Sequence, residues 1–529
     1  MVHYSDLDKN DHAASASEIV RQVAVIDMGT TSIRMAVAEI HGDREVKTLE
    51  TLQQAVNLGR DTFTGGVISK NTIEECVAVL SKYRQKLDEL GITDPQQIRV
   101  VATSAVREAR NRLAFVDRIF VATGIEILIA DEAEVSRITY LGVHPFLNKE
   151  PPPGSAKTIV TEVGGGSTEV IVLRGTDVIH SQTHRLGSLR LRKKLEAYHA
   201  PMSKGREIME SHIRHTVSQM REDVVDRRVE LIALGGDMRF AARELLPNWE
   251  INTAAALETS FLEEFTDHIL SMSRDEIARK YHLSFPEAET VGPALLIYVL
   301  LARAFELDHV KVTNTNLRDG LLQELAATDV WIEELRNQIV RSAIDLGQRY
   351  DFDESHARHV ADLSSSLFWQ LRSEHQLDPA YEMLLHVAAL LHEIGGYISH
   401  RSLHKHSMYL IRHSELFGLG QRQLLLVALI ARYHRRASPQ QQHDAYSNLP
   451  RSDRVAVAKL AAIVRIAIAM DDSRSQWIKQ VDCKLVKDRL VLNIHNTEDI
   501  SIEQIAVRQS ASLFEEIYGK RVELRQARS

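Results

Sequence analysis

Cysteine is scarce: the 529 residues include two, Cys76 and Cys483, far apart and without CxxC spacing. That excludes a disulfide framework and a thiolate zinc site, and it fits a reducing compartment. No stretch approaches ~20 uninterrupted apolar residues, which argues against a membrane-spanning helix. The segment from Met1 to Arg21 is polar, with Asp6, Asp8 and Asp11, and holds no signal-peptide core. Residues 1–20 are therefore expected to be a disordered lead-in, and the protein to be cytoplasmic. Positive charge is also short. A net charge of −8 argues against nucleic acid as the main partner, because phosphate neutralisation needs a basic surface. What is present, 44% hydrophobic and 26% charged residues, is the balance of a globular chain of three or four domains.

The first structured signal is the apolar run Val23-Ala24-Val25-Ile26, a buried strand. It enters the turn Asp27-Met28-Gly29-Thr30-Thr31-Ser32 and returns as a strand from Ile33 to Ile40. A helix opening on a Thr72/Glu75 capping box carries Ile73, Cys76, Val77, Leu80 and Leu87 at helical spacing. A strand (Ile98 to Ala102), a helix through Arg107 and Arg110 that stops near Gly124, and a strand (Ile125 to Ala130) follow. This alternation predicts an α/β domain. After the punctuation Pro151 to Gly154 the opening returns: a strand to Thr161, the turn Glu162-Val163-Gly164-Gly165-Gly166-Ser167, and a strand from Thr168 to Leu173. Asp27, Gly29 and Ser32 recur as Glu162, Gly164 and Ser167, each 135 positions later. Two similar lobes across a cleft are the natural inference. Beyond Trp331 the pattern turns helical and rich in His and Arg, and the alternation of Leu485 to Leu492 predicts a small α/β appendage. The expected domains are 21–142, 143–325, 326–478 and 479–529.

The glycine turns carry the chemistry. Gly164-Gly165-Gly166 lets the backbone approach an oxyanion and aim several N–H groups at it, with Ser167 and Thr168 adding hydroxyls. Gly29, Thr30, Thr31 and Ser32 offer the same in the first lobe. Asp27 and Glu162 would repel phosphate, so they make sense as Mg²⁺ or water ligands beside it, or as caps of the turns.

The ordered set resembles the exopolyphosphatase/guanosine pentaphosphate phosphohydrolase family. It comprises Asp27-x-Gly-x-x-Ser32, Thr103 to Ala109, Glu162 to Glu169, Arg185-Leu186-Gly187-Ser188, Ala233-Leu234-Gly235-Gly236, Asn316 to Gly320, Leu391 to Gly395 and Arg432 to Arg435. The resemblance covers roughly residues 20 to 520. It implies two actin-like (ribonuclease H-like) lobes around a cleft, then an all-α HD-like domain and a small α/β appendage. It also implies exopolyphosphatase activity on inorganic polyphosphate, with guanosine pentaphosphate (pppGpp) as the alternative substrate, Mg²⁺ as cofactor, and a homodimer. The family's water-orienting carboxylate falls on Glu134, with Glu132 as the rival. Arg107 is the implied phosphate clamp, and Glu169 a metal-shell or structural carboxylate. Two departures bear on the metal: the family usually has Asp where this chain has Glu162, and Ser-Asn where it has Thr30-Thr31.

His356, His359, His392-Glu393 and Asp471-Asp472 resemble the metal-binding pattern of HD phosphohydrolases. Glu393 replaces the usual Asp, so the expectation is an HD-like fold without a catalytic metal. Basic clusters at Arg185, Arg190, Arg192, Lys193 and Lys194, and at Arg401, Lys405, Arg412, Arg432, Arg435 and Arg436, would hold a polyanion if each lined a groove. A kinase of the same superfold, and a polyphosphate or nucleotide sensor that binds without turnover, are the competing readings.

Overall fold

The computed structural model describes residues 20–42, 45–147, 157–198, 202–224, 229–250, 252–326, 333–435, 437–495 and 499–526. The predicted tail, the Pro151–Gly154 punctuation, Trp331 and Arg436 lie outside these residues. The chain forms two compact units. The first comprises residues 1–130, 138–170 and 183–328; the second comprises 131–137, 171–182 and 329–529.

Three sheets organise the molecule. The first holds β1 (Arg21–Met28), β2 (Ser32–Ile40), β3 (Val46–Ala55), β4 (Ile98–Ala102) and β5 (Leu128–Ile129) in the order β3-β2-β1-β4-β5. The second holds β6 (Lys157–Val163), β7 (Thr168–Arg174), β8 (Asp177–His184), β9 (Val229–Leu234), β10 (Ala255–Glu258) and β11 (His309–Val312) in the order β10-β11-β9-β6-β7-β8. Read outward from β1 and β6, the two sheets match through five strands, and β10 extends the second by one. Each central strand turns into an adjacent return strand, which a third strand flanks, and each pairs in parallel on its other side, β1 with β4 and β6 with β9. The 135-residue repeat is thus a repeat of topology as well as of turn.

Local chemistry accounts for the elements around the first sheet. The helix Lys70–Glu89 starts three residues before the expected cap: Ser69, not Thr72, is its N-cap and accepts from the Thr72 N–H. Its Cys76, Leu80, Tyr83 and Leu87 pack with Ile26, Met28 and Met35 of the sheet and with Phe115 and Ile119 of the helix Arg112–Thr123. Gly124, at φ 67°, ends that helix in the left-handed region, where glycine carries no Cβ penalty. The expected helix through Arg107 and Arg110 is instead one turn, Ser104–Arg107, with a break before Arg112. Cys76 is fully buried and its thiol is pushed up to about 12 by burial, so it acts as an apolar core residue.

Among the described residues one helix, Phe285–Ala304, is long and apolar enough to cross a membrane by length and composition alone, and the sequence reading did not anticipate it. Its apolar surface is buried from Ala288 to Ala302 within the first unit.

In the second unit, helices Glu333–Arg349, Glu354–Gln370, Tyr381–Leu390, Leu403–Arg412, Gln421–Arg432 and Arg451–Ala469 form the helical domain. A three-stranded sheet follows, β12 (Val481–Val486), β13 (Arg489–Ile494) and β14 (Arg521–Gln526). The alternating stretch Leu485 to Leu492 is two strands folded at Lys487-Asp488, with Lys487 at φ 53°, rather than one.

Candidate active site

Both glycine turns close in the same way. The Gly29 N–H donates to the Ser32 carbonyl at 3.0 Å, and the Gly164 N–H to the Ser167 carbonyl at 2.8 Å. The two turns meet. A methyl group at Gly165 would lie inside van der Waals contact of Thr30 Oγ1, 3.0 Å from its Cβ and 3.2 Å from its Cγ2. A methyl at Gly166 would lie 2.6 Å from Ser104 Oγ. The backbone of the second turn is therefore pressed against the side chains of Thr30, Phe63 and Ser104, and only glycine fits at 165 and 166.

The chain following β8 locks the second turn. Ser188 N–H and Arg190 N–H donate to the carbonyls of Gly164 and Gly165, each at 3.0 Å. Arg190 Nε donates to the Gly166 carbonyl at 2.8 Å, its guanidinium lies 4.3 Å from the centre of the Phe63 ring, and it pairs with Glu108 at 2.6 Å. Thr168 Oγ1 donates to the Leu186 carbonyl. With carbonyls engaged on the protein side, the turn's remaining amides are the groups left to receive an anion. The basic run is largely paired: Arg185 binds Glu108 at 2.7 Å, and Lys193 binds Glu196 at 2.7 Å and Glu289 at 3.5 Å. Arg190 alone of these braces the second turn directly, and Arg185 and Lys193 are paired with carboxylates.

Beside the turns lies a charge cluster that joins the expected Asp27 and Glu162 to groups the sequence reading gave no site role. Asp27, 7% exposed, sits 3.6 Å from Arg318. The Glu162 carboxyl is pushed above the usual carboxylate range, first by burial and then by Asp27, with Arg239, Arg34 and Arg318 opposing. Asp237, in the first turn of the helix Gly236–Leu245, rises to about 6, chiefly through burial. Arg239 is anchored by a 3.0 Å bond to the Thr315 carbonyl. The buried Tyr298 hydroxyl accepts from the Val163 N–H at 2.8 Å and donates to the Leu234 carbonyl. It ties the chain entering the glycine turn to the chain entering Gly235, which stands at φ 101°. Arg318 came from a motif the sequence did flag, and Asp237 and Arg239 directly follow the flagged Ala233-Leu234-Gly235-Gly236; Arg34 and Tyr298 come from segments with no local signature.

The other expected site residues are placed as follows. Arg107 is half-buried and donates to the Ala130 carbonyl at 2.8 Å, at the end of β5. Glu169 is buried in β7, beside Thr168. Glu134 lies in the first turn of the helix Glu132–Val143, half-buried, while Glu132 is exposed. Asp131 and Glu134 form a reciprocal capping box: the Asp131 N–H donates to Glu134 Oε2 and the Glu134 N–H to Asp131 Oδ1, both at 2.9 Å. Both acids belong to the second unit, whereas the glycine turns belong to the first.

Residues 36–328 match the model of the Ppx/GppA phosphatase family, and residues 339–509 match Ppx/GppA phosphatase, domain III. A guanosine-5′-triphosphate,3′-diphosphate pyrophosphatase of Photobacterium profundum is 24% identical, over 84% of this chain and 84% of that protein. One of Vibrio vulnificus is 25% identical, over 89% and 91%. Among solved structures, an exopolyphosphatase from Cytophaga hutchinsonii aligns with TM-score 0.52 and 21% identity, covering 58% of this chain and 98% of its own.

Proposed function

The chain belongs to the Ppx/GppA phosphatase family, and from that premise we propose that it removes the 5′-terminal phosphoryl group of guanosine-5′-triphosphate,3′-diphosphate. One observation carries the choice of substrate. The relatives that run through both units, over 84% and 89% of this chain, are named for that nucleotide. The exopolyphosphatase structure matches only 58% of it. The sequence reading placed inorganic polyphosphate first; the names favour the nucleotide, and polyphosphate becomes the second reading.

The mechanism asks the chain mainly to position and neutralise. The turns at Gly29–Ser32 and Gly164–Thr168 would receive the terminal phosphoryl oxygens on backbone amides, helped by the hydroxyls of Thr30, Thr31, Ser167 and Thr168. Asp27 and Glu162 suit Mg²⁺: burial and the neighbouring Asp27 raise the proton affinity of Glu162, which a hard cation would relieve. When bound there, Mg²⁺ would neutralise charge building on the phosphoryl oxygens. We assign Glu134 as the carboxylate that orients the attacking water. Arg107 would grip phosphate in the same complex.

The test measures phosphate release from guanosine-5′-triphosphate,3′-diphosphate and from long-chain polyphosphate under identical Mg²⁺. The nucleotide is expected to have the higher kcat/KM, and Glu134→Gln to lose roughly 10²–10⁴-fold in kcat on either. A higher kcat/KM for polyphosphate would reverse the substrate order, and binding without turnover would establish the sensor.

A further inference from the structure

The helical domain holds a second cluster of groups capable of chemistry, remote in sequence from the glycine turns. His356 opens the helix Glu354–Gln370, His392 and Glu393 follow the helix Tyr381–Leu390, and Asp471 follows the helix Arg451–Ala469. Three helix ends therefore converge. One ligand atom each from His356, His392 and Glu393 lie within 4.8 Å of one another.

The hydrogen bonds fix what these atoms can do. His356 Nδ1 lies 2.7 Å from Asp471 Oδ2, and His392 Nδ1 lies 2.6 Å from the Ala389 carbonyl. A carboxylate and a carbonyl only accept, so each ring carries a proton on Nδ1, and the neutral ring turns a bare lone pair outward on Nε2. Both Nε2 atoms are buried and without a hydrogen-bond partner, in residues 2% and 1% exposed. Leaving two acceptors dry and unpaired is costly unless something else fills the space. Glu393 completes the set: Oε1 stands 3.9 Å from His392 Nε2, while Oε2 is held by Arg474 at 2.6 Å. Asp471 is otherwise occupied, since its Oδ1 accepts the Gln476 N–H at 2.8 Å. It orients His356 in the manner of a carboxylate behind a metal-bound imidazole.

We propose that His356, His392 and Glu393 form a binding site for a first-row transition metal, with Zn²⁺ the favoured occupant. Two imidazole nitrogens with one carboxylate suit Zn²⁺, Co²⁺ or Fe²⁺ far better than Mg²⁺, which wants six oxygens. Ligands at ~2.1 Å from one ion sit roughly 3–4 Å apart, so side-chain shifts of about half an ångström close the site. The extra methylene that made Glu393 look unsuited to a metal instead lets its two oxygens serve different partners, one facing the histidines and one facing Arg474. Three protein ligands leave a coordination position for water or an anion oxygen.

The experiment titrates the full-length, metal-stripped protein with Zn²⁺ by calorimetry and with Co²⁺ by visible absorption, with no phosphate substrate present. One equivalent is expected to bind, with ligand-field bands in the Co²⁺ spectrum. His392→Gln is expected to abolish that equivalent, Glu393→Gln to weaken it at least tenfold, and the remote His413→Gln to leave it unchanged. Glu393 is only partly buried, so Glu393→Gln decides the matter if His392→Gln does not fold, with circular dichroism as the folding control. Absence of saturable binding in the wild type, or equal affinity in Glu393→Gln, overturns the assignment.

Discussion

Gly165→Ala is the sharpest probe of the glycine turns, because the structure identifies the obstacle atom by atom. The added methyl meets Thr30 Oγ1, Cβ and Cγ2 together. Rotating Thr30 about χ1 moves the hydroxyl away but brings its other branch toward the same space, and leaves the 3.0 Å approach to Cβ untouched. The turns must therefore separate by something near an ångström. Overpacking of this kind costs about 1–3 kcal/mol of stability. A displacement of ~1 Å between groups that grip one phosphoryl costs on the order of 10²-fold in rate, or roughly 2.7 kcal/mol of transition-state stabilisation. Thr30→Gly removes all three obstructing atoms. In that background the methyl at 165 has somewhere to go, so the second substitution is expected to cost less than roughly tenfold, a coupling of at least ~1.4 kcal/mol. The assay is kcat/KM for phosphate release across the four proteins of the cycle, with hydrogen exchange of the two turns recorded in parallel. If Gly165→Ala turns over within twofold of wild type, or its deficit is as large in the Thr30→Gly background, the turns do not converge as described.

Tyr298→Phe leaves the buried Val163 N–H without its acceptor, and should destabilise the protein by about 1–3 kcal/mol in urea unfolding of the first unit, with reduced turnover; an unchanged midpoint would refute the bridging role. Asp237 supplies a pH signature. Its folded-state value of about 6 lies above the ordinary 3.8, so its contribution to stability is full below pH ~4 and is lost as pH rises through about 6. Two units at 1.36 kcal/mol each set a ceiling near ~3 kcal/mol, and partial exposure lowers the expected effect to roughly 1–2 kcal/mol. Asp237→Asn should therefore stabilise at pH 7.5 and have little effect at pH 4, measured as thermal midpoints; equal shifts at both pH values would contradict the assignment.

Much of this architecture could be read from the chain because its signals are local. The turn at Gly164 repeats the turn at Gly29 down to the same amide-to-carbonyl bond, and the strand Ile98–Ala102 and the stop at Gly124 stand where expected. β3 escaped notice because Val46–Ala55 is mostly polar and exposed, so it lacks the apolar alternation that marks a strand. The hairpin at Lys487 was hidden because a two-residue turn of charged residues interrupts the alternation without glycine. The charge cluster was only partly legible: Asp27 and Glu162 were expected at the site, and their other charged neighbours were not. Arg34, Glu162, Asp237, Arg239 and Arg318 derive from four separated segments, and their meeting is a product of the tertiary fold. The tie between Glu393 and Arg474, 81 positions apart, was equally out of reach of a local reading.

The Tyr298 hydroxyl has a consequence for how this protein can change. A long apolar helix, which a reader of hydropathy would take for inert filling, serves as the ruler against which the approaches to Gly164 and Gly235 are set. A volume-preserving swap among its leucines and valines that left the interior equally dry could still rotate that phenol by a few degrees and detune the phosphate cradle. Drift in the interior of the first unit should therefore be governed by turnover as well as by stability, and variants selected for thermal tolerance there should frequently be slow.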